Sequence, residues 1–302
     1  MTLTELRYLV ALARTQHFGQ AAESCHVTQP TLSIAIKKLE EELGIALFER
    51  IKNQVRLTPQ GHSIVTQAEK VLQETSLLRD LADAGKDPLK GPLKIGAIFT
   101  VGPYLFPHMV PQLQQLAPQM PLYIEENYTA KLREKLIHGE LDVIIIALPF
   151  TEQEVLTQVL YDEPFVVLLP SGHPLADRDT FDCQTLTGEK LLLLGAGHCF
   201  RDQVLQACPN IQTTLAHSKQ EMNITEGSSL ETLRHMVASG MGITVLPQTA
   251  AGEYSYAQGL LAVRPFAPPV PHRTVALAWR TSFTRPQVID VLNQAIRACQ
   301  LI

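Results

Sequence analysis

Apolar residues near the start of the chain recur at helical spacing in three short runs, at positions 6–13, 18–25 and 32–43. Thr28 is a good N-cap residue and Pro30 falls in the following first turn, so the third helix is predicted to begin there. Gly44 is placed to end it. Two short strands, 48–50 and 55–57, are then predicted around a polar tip. The pattern indicates three helices followed by a β wing.

A single apolar stripe continues from Ile64 to Leu81 at spacings of three and four residues. Thr58 and Pro59 mark the start of this helix, and Gly85 marks its end. A long helix with one apolar face and no domain around it needs a partner. The stripe is therefore predicted to pair with the same helix of a second subunit.

From Gly91 onward, buried-strand runs alternate with helical stretches, which predicts an α/β fold with a mostly parallel sheet. The predicted strands are 93–98, 122–126, 143–147, 165–169, 191–194 and 273–280, and the predicted helices lie near 103–116, 129–137, 229–239 and 285–299. About 210 residues is large for one such sheet, so two lobes are expected. The last strand and helix are expected to return to the first lobe.

The composition is that of a globular protein, with 45% hydrophobic and 18% charged residues in 302. The longest apolar run is far shorter than a membrane span of about 20 residues, and no signal peptide is recognisable, so a cytoplasmic protein is expected. The net charge is −5, with eleven positive and eleven negative residues up to Lys90. Charge alone therefore does not predict a nucleic-acid partner, and that prediction must rest on a motif.

Such a motif is the segment FGQAAESCHVTQPTLSIAIKKLEEELGIALF, residues 18–48, which resembles the helix-turn-helix of LysR-type transcriptional regulators. The resemblance implies that the N-terminal turn of the third helix enters the major groove, where its polar side chains can meet base edges. Basic residues of that helix and of the wing, including Lys38 and Lys52, would contact phosphates. The predicted DNA-binding residues are Gln29, Pro30, Thr31, Ser33, Lys37, Arg50 and Arg56.

The segments GPLKIGAIFTVGPYLFP and MVASGMGITVLP resemble the effector domain of the same family, which is built like a periplasmic binding protein. The expected fold is thus an N-terminal all-α winged helix-turn-helix, a long linker helix and a two-lobed α/β effector domain. The expected boundaries are 1–58 for DNA binding, 59–87 for the linker and dimerisation helix, and 91–302 for the effector domain. Lobe I would comprise about 91–163 plus 267–302, and lobe II about 164–266.

Within the family, GEKLLLLGAGHCFRDQVLQAC and TVGPYL are similar to the members that sense hydrogen peroxide. Cys199 would lie at the junction between the strand that ends near Leu194 and a short helix at about 200–207, and the helix N-terminus together with His198 and Arg201 would favour the thiolate that attacks peroxide. The resulting sulfenic acid would be resolved as a disulfide, for which Cys208 is the nearest thiol in sequence. Cys25, Cys183 and Cys299 are expected to be inert, because cysteine is among the most often buried residue types.

The resemblance also implies a small polar peroxide pocket around Cys199. Its expected residues are Thr100, Thr129, His198, Arg201, Asp202 and Arg273. The chain departs from this pattern just before the pocket, where Gly195 and Ala196 replace acidic residues that are usual in these members.

The predicted function is a transcriptional regulator, mainly an activator, of oxidative-stress genes, and not an enzyme. Its expected partners are double-stranded promoter DNA, RNA polymerase, hydrogen peroxide as the signal, and further copies in a dimer of dimers, with no membrane, cofactor or metal. One alternative is a LysR-type regulator that senses a small organic acid between the lobes without thiol chemistry, against which the Cys199–Cys208 pair argues. A thiol peroxidase is disfavoured by the DNA-binding motif, and a solute-binding transport protein by the lack of an export signal.

Overall fold

The computed structural model describes residues 1–51, 54–84, 87–210, 224–252 and 259–301. The chain divides into two compact units, Met1–Lys86 and Asp87–Ile302. Across the described residues, no helix combines the length and the apolar character needed to cross a bilayer.

The first unit is a helix-turn-helix with a wing, as the apolar spacing predicts. Its elements are α1 (Leu3–Thr15), α2 (Phe18–Ser24), α3 (Gln29–Leu43), β1 (Phe48–Ile51) and β2 (Gln54–Leu57). Thr2 and Glu5 form a capping box that begins α1, and Gly44, at φ +68°, ends α3. Leu9, Leu32 and their neighbours pack into one core from which solvent is excluded.

The linker helix α4 (Pro59–Ala84) is anchored at its start. The Thr58 hydroxyl accepts a hydrogen bond from the Gly61 N–H at 2.9 Å and donates to the Ala46 carbonyl at 2.8 Å. Gly61 is required there, because a Cβ would lie 2.2 Å from the Leu47 carbonyl oxygen.

The apolar stripe of α4 has two parts, which corrects the expectation that all of it pairs subunits. Ile64, Ala68 and Leu72 pack against the helix-turn-helix core, because α4 crosses that core before it leaves the domain. On another face of the same helix, Val71 and Leu78 are 37% and 68% exposed. The side chain of Leu81 lies outside the described residues.

The second unit alternates strands and helices. Its strands are β3 (Leu93–Ile98), β4 (Leu122–Asn127), β5 (Val143–Ala147), β6 (Val155–Pro170), β7 (Leu191–Leu194), β8 (Ile224–Gly227), β9 (Ile243–Pro247), β10 (Leu261–Pro265) and β11 (His272–Arg280). Its α-helices are α5 (Gly102–Leu116), α6 (Thr129–Ile137), α7 (Cys199–Ala207), α8 (Leu230–Ala238) and α9 (Pro286–Ala298). Short 3₁₀ helices cover Thr185–Gly188 and Gln248–Ala251.

The strands follow the order β4-β3-β5-β11-β6-β9-β7-β8, with β10 beside β6. Strands β3, β4 and β5 pair in parallel, as do β7, β8 and β9. The long strand β6, together with β10 and β11, runs antiparallel to its neighbours. The sheet is therefore mixed rather than mostly parallel, because β6 and β11 cross between the two parallel groups.

Each parallel group has its own core. One core is formed by residues of β3, β5, α5, α6, α9 and the buried part of β11. The other is formed by residues of β7, β9, α7, α8 and the second half of β6. Strand β6 pairs with β11 up to Pro164 and with β9 from Phe165. The effector domain is therefore two-lobed, and the chain passes from one lobe to the other near Pro164.

Candidate functional site

A small cavity lies where strands from both parallel groups end. It encloses about 170 Å³, including open space at its mouth, and its walls follow β3, β4 and β7. The lining residues are Ile98, Phe99, Thr100, Asn127, Tyr128, Thr129, Gly197, His198 and Cys199. The first six belong to the lobe of β3 and the last three follow β7, so both lobes contribute. The carboxyl ends of parallel strands are the usual place for ligands in α/β folds.

Cys199 is the first residue of α7 and carries a free, partly buried thiol. Gly197 makes the preceding turn at φ +97°, a conformation that favours glycine, and His198 is the N-cap. The Cys199 side chain packs on the first lobe's core, while Phe200 and Val204 lie in the second. The unpaired N–H groups and the dipole at the start of α7 favour a negative charge beside them.

His198 is 6% exposed and packs on Tyr128, with their ring centroids 4.8 Å apart. Burial lowers the pKa of His198, opposed by a hydrogen bond to the Ser228 carbonyl oxygen. That oxygen, 3.2 Å from Nε2, can only accept, so Nε2 carries the proton. The second ring nitrogen, Nδ1, is therefore an acceptor in the neutral ring.

Two threonine hydroxyls supply further polar groups of the cavity, in addition to the Asn127 side chain. The Thr129 Oγ1 is buried and has no hydrogen-bond partner. The Thr100 Oγ1 accepts a hydrogen bond from Nη1 of Arg273 at 2.7 Å, which leaves its own proton available to donate. A small molecule with hydroxyl groups would satisfy both.

Arg273 lies behind Thr100 rather than in the cavity wall. Its guanidinium also donates to the Thr100 carbonyl at 2.8 Å and forms a fully buried ion pair with Glu163, at 2.7 Å from both Nε and Nη2. Glu163 in turn accepts from the Thr249 N–H at 3.0 Å and from the Thr249 hydroxyl. The Arg273 guanidinium lies 5.2 Å from the centroid of the Phe200 ring, next to Cys199. The network thus fixes Thr100 and contacts α7.

Arg201 and Asp202 do not line the cavity, which corrects their expected place. The Arg201 guanidinium donates to the Leu194 carbonyl and to Glu226, both at 2.7 Å. Asp202 is exposed on the first turn of α7. The helix turns both side chains away from the cavity, although they follow Cys199 directly in sequence.

Several residues of the site were not predicted from the sequence. Tyr128, Phe99 and Asn127 are exposed or half-buried in the cavity wall, and Glu163 and Thr249 hold Arg273. Glu163 precedes the apolar run that begins at Phe165. Such a position predicts an exposed strand end, so the signal for a buried carboxylate was absent.

Cys208 is bonded to Cys183, with their Cα atoms 5.1 Å apart. The expectation that Cys183 is inert is therefore wrong: it lies within bonding distance because both residues pack in the second lobe's core. The expected Cys199–Cys208 bond is not the one present, since Cys199 and Cys208 are at opposite ends of α7. Cys25 and Cys299 are free thiols.

The predicted DNA-binding residues lie on α3 and the wing. Gln29, Pro30, Thr31, Lys37 and Arg56 are exposed, and Ser33 is half-buried. The Thr31 hydroxyl lies 2.8 Å from that of Thr28. The side chain of Arg50, and all of Lys52, lie outside the described residues.

A winged helix-turn-helix unit in the same chain as a two-lobed α/β domain defines a DNA-binding transcriptional regulator. Residues 3–62 match the family model for the bacterial regulatory helix-turn-helix protein of the lysR family, and residues 86–300 match the LysR substrate binding domain. The chain therefore belongs to the LysR family of transcriptional regulators.

Among the similar proteins of this family are OxyR regulators. The chain is 41% identical over 298 residues to the DNA-binding transcriptional dual regulator OxyR of Escherichia coli K12, covering 99% of this chain and 95% of that protein. A solved full-length OxyR variant from Pseudomonas aeruginosa is 59% identical with a TM-score of 0.79, covering 100% of this chain and 96% of that one. A hydrogen-peroxide-bound OxyR variant from Corynebacterium glutamicum is 31% identical with a TM-score of 0.66, covering 99% and 92%.

Proposed function

We propose that this protein is a DNA-binding transcriptional regulator, mainly an activator, of oxidative-stress genes that senses hydrogen peroxide through Cys199. The observation that carries the proposal is the position of Cys199 at the start of α7, beside a cavity with an unpartnered Thr129 hydroxyl. The names of the similar proteins, hydrogen peroxide-inducible genes activators among them, support the same signal.

The cavity favours peroxide over the alternative of an organic acid. The cavity is small, since its volume of about 170 Å³ already includes the open space at its mouth. Among the described residues, no Lys or Arg side chain lines it, and the nearby Arg273 guanidinium is already engaged by Glu163 and Thr100. The start of α7 would already stabilise the Cys199 thiolate, so a carboxylate would be a second anion beside it, whereas neutral peroxide needs only hydrogen-bond partners.

In the sensing step, the Cys199 thiolate attacks one peroxide oxygen. The S–O bond forms as the O–O bond breaks, and the departing oxygen leaves as hydroxide and is protonated to water, so that the sulfur loses two electrons. The hydroxyls of Thr100 and Thr129 would hold the peroxide, and the start of α7 would stabilise the thiolate.

In the second step, the Cys208 thiol attacks the sulfenic sulfur, the S–S bond forms and the oxygen leaves as water. The reacting form must therefore have Cys208 as a thiol, so its bond to Cys183 has to be reduced beforehand. The Cys199–Cys208 bond would then rearrange the effector domain.

We also propose the division into residues 1–58, 59–87 and 91–302, with the lobes as given above. The regulator would act in the cytoplasm on promoter DNA and RNA polymerase as a dimer of dimers. The exposed apolar residues of α4 support subunit pairing, and the exposed polar side chains of α3 support DNA contact.

The test is site-resolved oxidation of the reduced protein. After a brief micromolar peroxide pulse and acid quenching, peptide mass spectrometry is expected to find Cys199 oxidised while Cys25 and Cys299 remain thiols. Cys199→Ser is expected to remove the transcriptional response, whereas Cys299→Ser leaves it intact. A Cys199→Ser protein that still responds would refute the proposal.

A further inference from the structure

Cys183 is held beside Cys208 by the scaffold of the second lobe. Phe181 forms a β-bridge with Phe266, and the Thr185 N–H and hydroxyl both donate to Asp182 at 2.7 Å, so the backbone on each side of Cys183 is fixed. Cys208 is 1% exposed and ends α7, with its N–H bonded to the Val204 carbonyl. The Cα separation of 5.1 Å is in the usual range for a disulfide, and α7 remains helical.

Cys208 and Cys199, in contrast, are too far apart to form a disulfide while α7 is helical. The two residues are separated by the whole of α7, and nine residues of helix rise about 13 Å. A disulfide tolerates a Cα separation of about 7 Å at most. The Cys199–Cys208 bond therefore requires α7 to unwind, whereas the Cys183–Cys208 bond does not.

We propose that Cys183 is a second resolving thiol, which displaces Cys199 from Cys208 by disulfide exchange. The exchange leaves the sensor in a desensitised state. This inference rests on the function proposed above. The Cys183 thiolate attacks the Cys208 sulfur of the Cys199–Cys208 bond, the new S–S bond forms, and Cys199 departs as the thiolate, which is stabilised when the start of α7 reforms beside it.

The electrons and atoms balance over the three steps. One peroxide accepts two electrons and becomes two water molecules, and the thiols of Cys183 and Cys208 supply those electrons and the two hydrogens. Cys199 is oxidised and then regenerated, so it ends as it began. The exchange step itself needs no further oxidant.

The product is the arrangement that the structure holds: α7 is helical, Cys199 is free and Cys208 is bonded to Cys183. In this state Cys199 still meets peroxide, but Cys208 cannot resolve its sulfenic acid. The regulator would thus leave its active shape without being reduced, and a reductant would have to open the Cys183–Cys208 bond before the next response.

The experiment follows the disulfides with time. The full-length protein is fully reduced, freed of reductant, given one equivalent of peroxide, quenched with acid and alkylated, and its cross-linked peptides are quantified. In the wild-type protein the Cys199–Cys208 peptide is expected first and the Cys183–Cys208 peptide after it. In Cys183→Ser the Cys199–Cys208 form should persist about tenfold longer or more, and Cys299→Ser should match the wild type.

Two results would overturn the inference. One is the absence of the Cys183–Cys208 peptide while Cys199–Cys208 forms and persists in the wild type. The other is formation of Cys183–Cys208 at an unchanged rate in Cys199→Ser, which would show direct oxidation of the pair. If Cys199 stays a thiol in both the wild type and Cys183→Ser, it is the proposed sensing function that fails.

Discussion

Arg273 and Glu163 form a buried ion pair on adjacent strands, at the point where the chain passes between lobes. Neither side chain is exposed, and each has further hydrogen bonds, to Thr100 and Thr249 respectively. A buried pair of this kind contributes little over an apolar pair, but breaking it leaves an uncompensated charge. The pair therefore acts as a positioning device, because it fixes the Thr100 hydroxyl in the cavity wall.

Glu163→Gln is expected to destabilise the effector domain by about 3 kcal/mol, since it leaves the buried Arg273 guanidinium without its counter-charge. Urea unfolding measures the change. The matched control is Glu226→Gln, whose carboxylate pairs with Arg201 at a side-chain exposure of 53% and should cost less than about 1 kcal/mol. Equal losses in the two variants would contradict this role for Glu163.

His198 should make stability depend on pH in one direction. Burial lowers its pKa in the folded state, so the unfolded chain takes up a proton first as the pH falls. The stabilisation is present above the ordinary histidine pKa of about 6.5 and is lost as the pH falls through the lowered value. His198→Gln should therefore lose less stability than the wild type when the pH is lowered from 7.5 to 5.5, roughly one unit to either side of the ordinary histidine pKa. The midpoint of urea unfolding at each pH measures the loss. A steeper loss in the variant would count against the neutral ring.

At the scale of single elements, we expect α3 to contribute sequence selectivity and the wing to contribute general affinity for DNA. Gln29→Ala and Ser33→Ala should each weaken the free energy of binding to a selected DNA site by about 1–3 kcal/mol and change binding to random DNA little. The reason is that both side chains are at the N-terminal end of α3, where base edges are contacted. Arg56→Ala, on the wing, should weaken binding to all DNA and reduce the salt dependence. Gel-shift titrations at two salt concentrations separate these effects, and unchanged selectivity in both α3 variants would refute the placement.

The second half of α4 is the expected dimer contact. Replacing Val71 and Leu78 by Glu should yield monomers that bind DNA poorly, because these apolar side chains are exposed in the single chain. Gln67→Glu adds a charge at an exposed polar position of the same helix and should leave the oligomer unchanged. Sedimentation measures both, and an intact oligomer in the double variant would exclude this surface as the contact.

Sequence periodicity predicted the elements of the first unit well. The caps at Thr28 and Gly44 and the wing strands are local signals, and the structure has them where they were expected. It was not predictable that part of the apolar stripe of α4 packs on its own domain while another part is exposed. The same apolar spacing suits a helix packed on its own domain or on a partner. Strand β6 was recognised only from Phe165 onward, since its first half, VLTQVLYDEP, lacks the strict alternation of polar and apolar residues that indicates a strand, and it pairs with the distant β11.

At the scale of the whole molecule, the sequence predicted two lobes and a site at Cys199, but not how the site is assembled. Thr100 and Thr129 follow strand ends and could be placed in the cavity for that reason. Arg201 and Asp202 were misplaced because nearness in sequence does not give the direction of a helical side chain. The Cys183–Cys208 pair joins segments 25 residues apart, a separation that carries no signal for pairing.

Helix α7 connects the site to the rest of the effector domain. Phe200 packs edge-to-face on Phe165 with centroids 5.0 Å apart, and Gln203 donates to the Leu148 carbonyl of the other lobe at 3.1 Å. Closing the Cys199–Cys208 bond would unwind α7 and release these contacts, so a covalent change at one thiol selects between two packings of the lobes.

Hydrogen exchange along α7 tests this account most directly. The Cys183→Ser protein is compared in its fully reduced form and after one equivalent of peroxide, so that the Cys199–Cys208 form accumulates. The account predicts that the amides of residues 200–207 lose protection on oxidation, and that a Cys183→Ser, Cys199→Ser double variant shows no change. Protection of α7 that is the same before and after peroxide would contradict it.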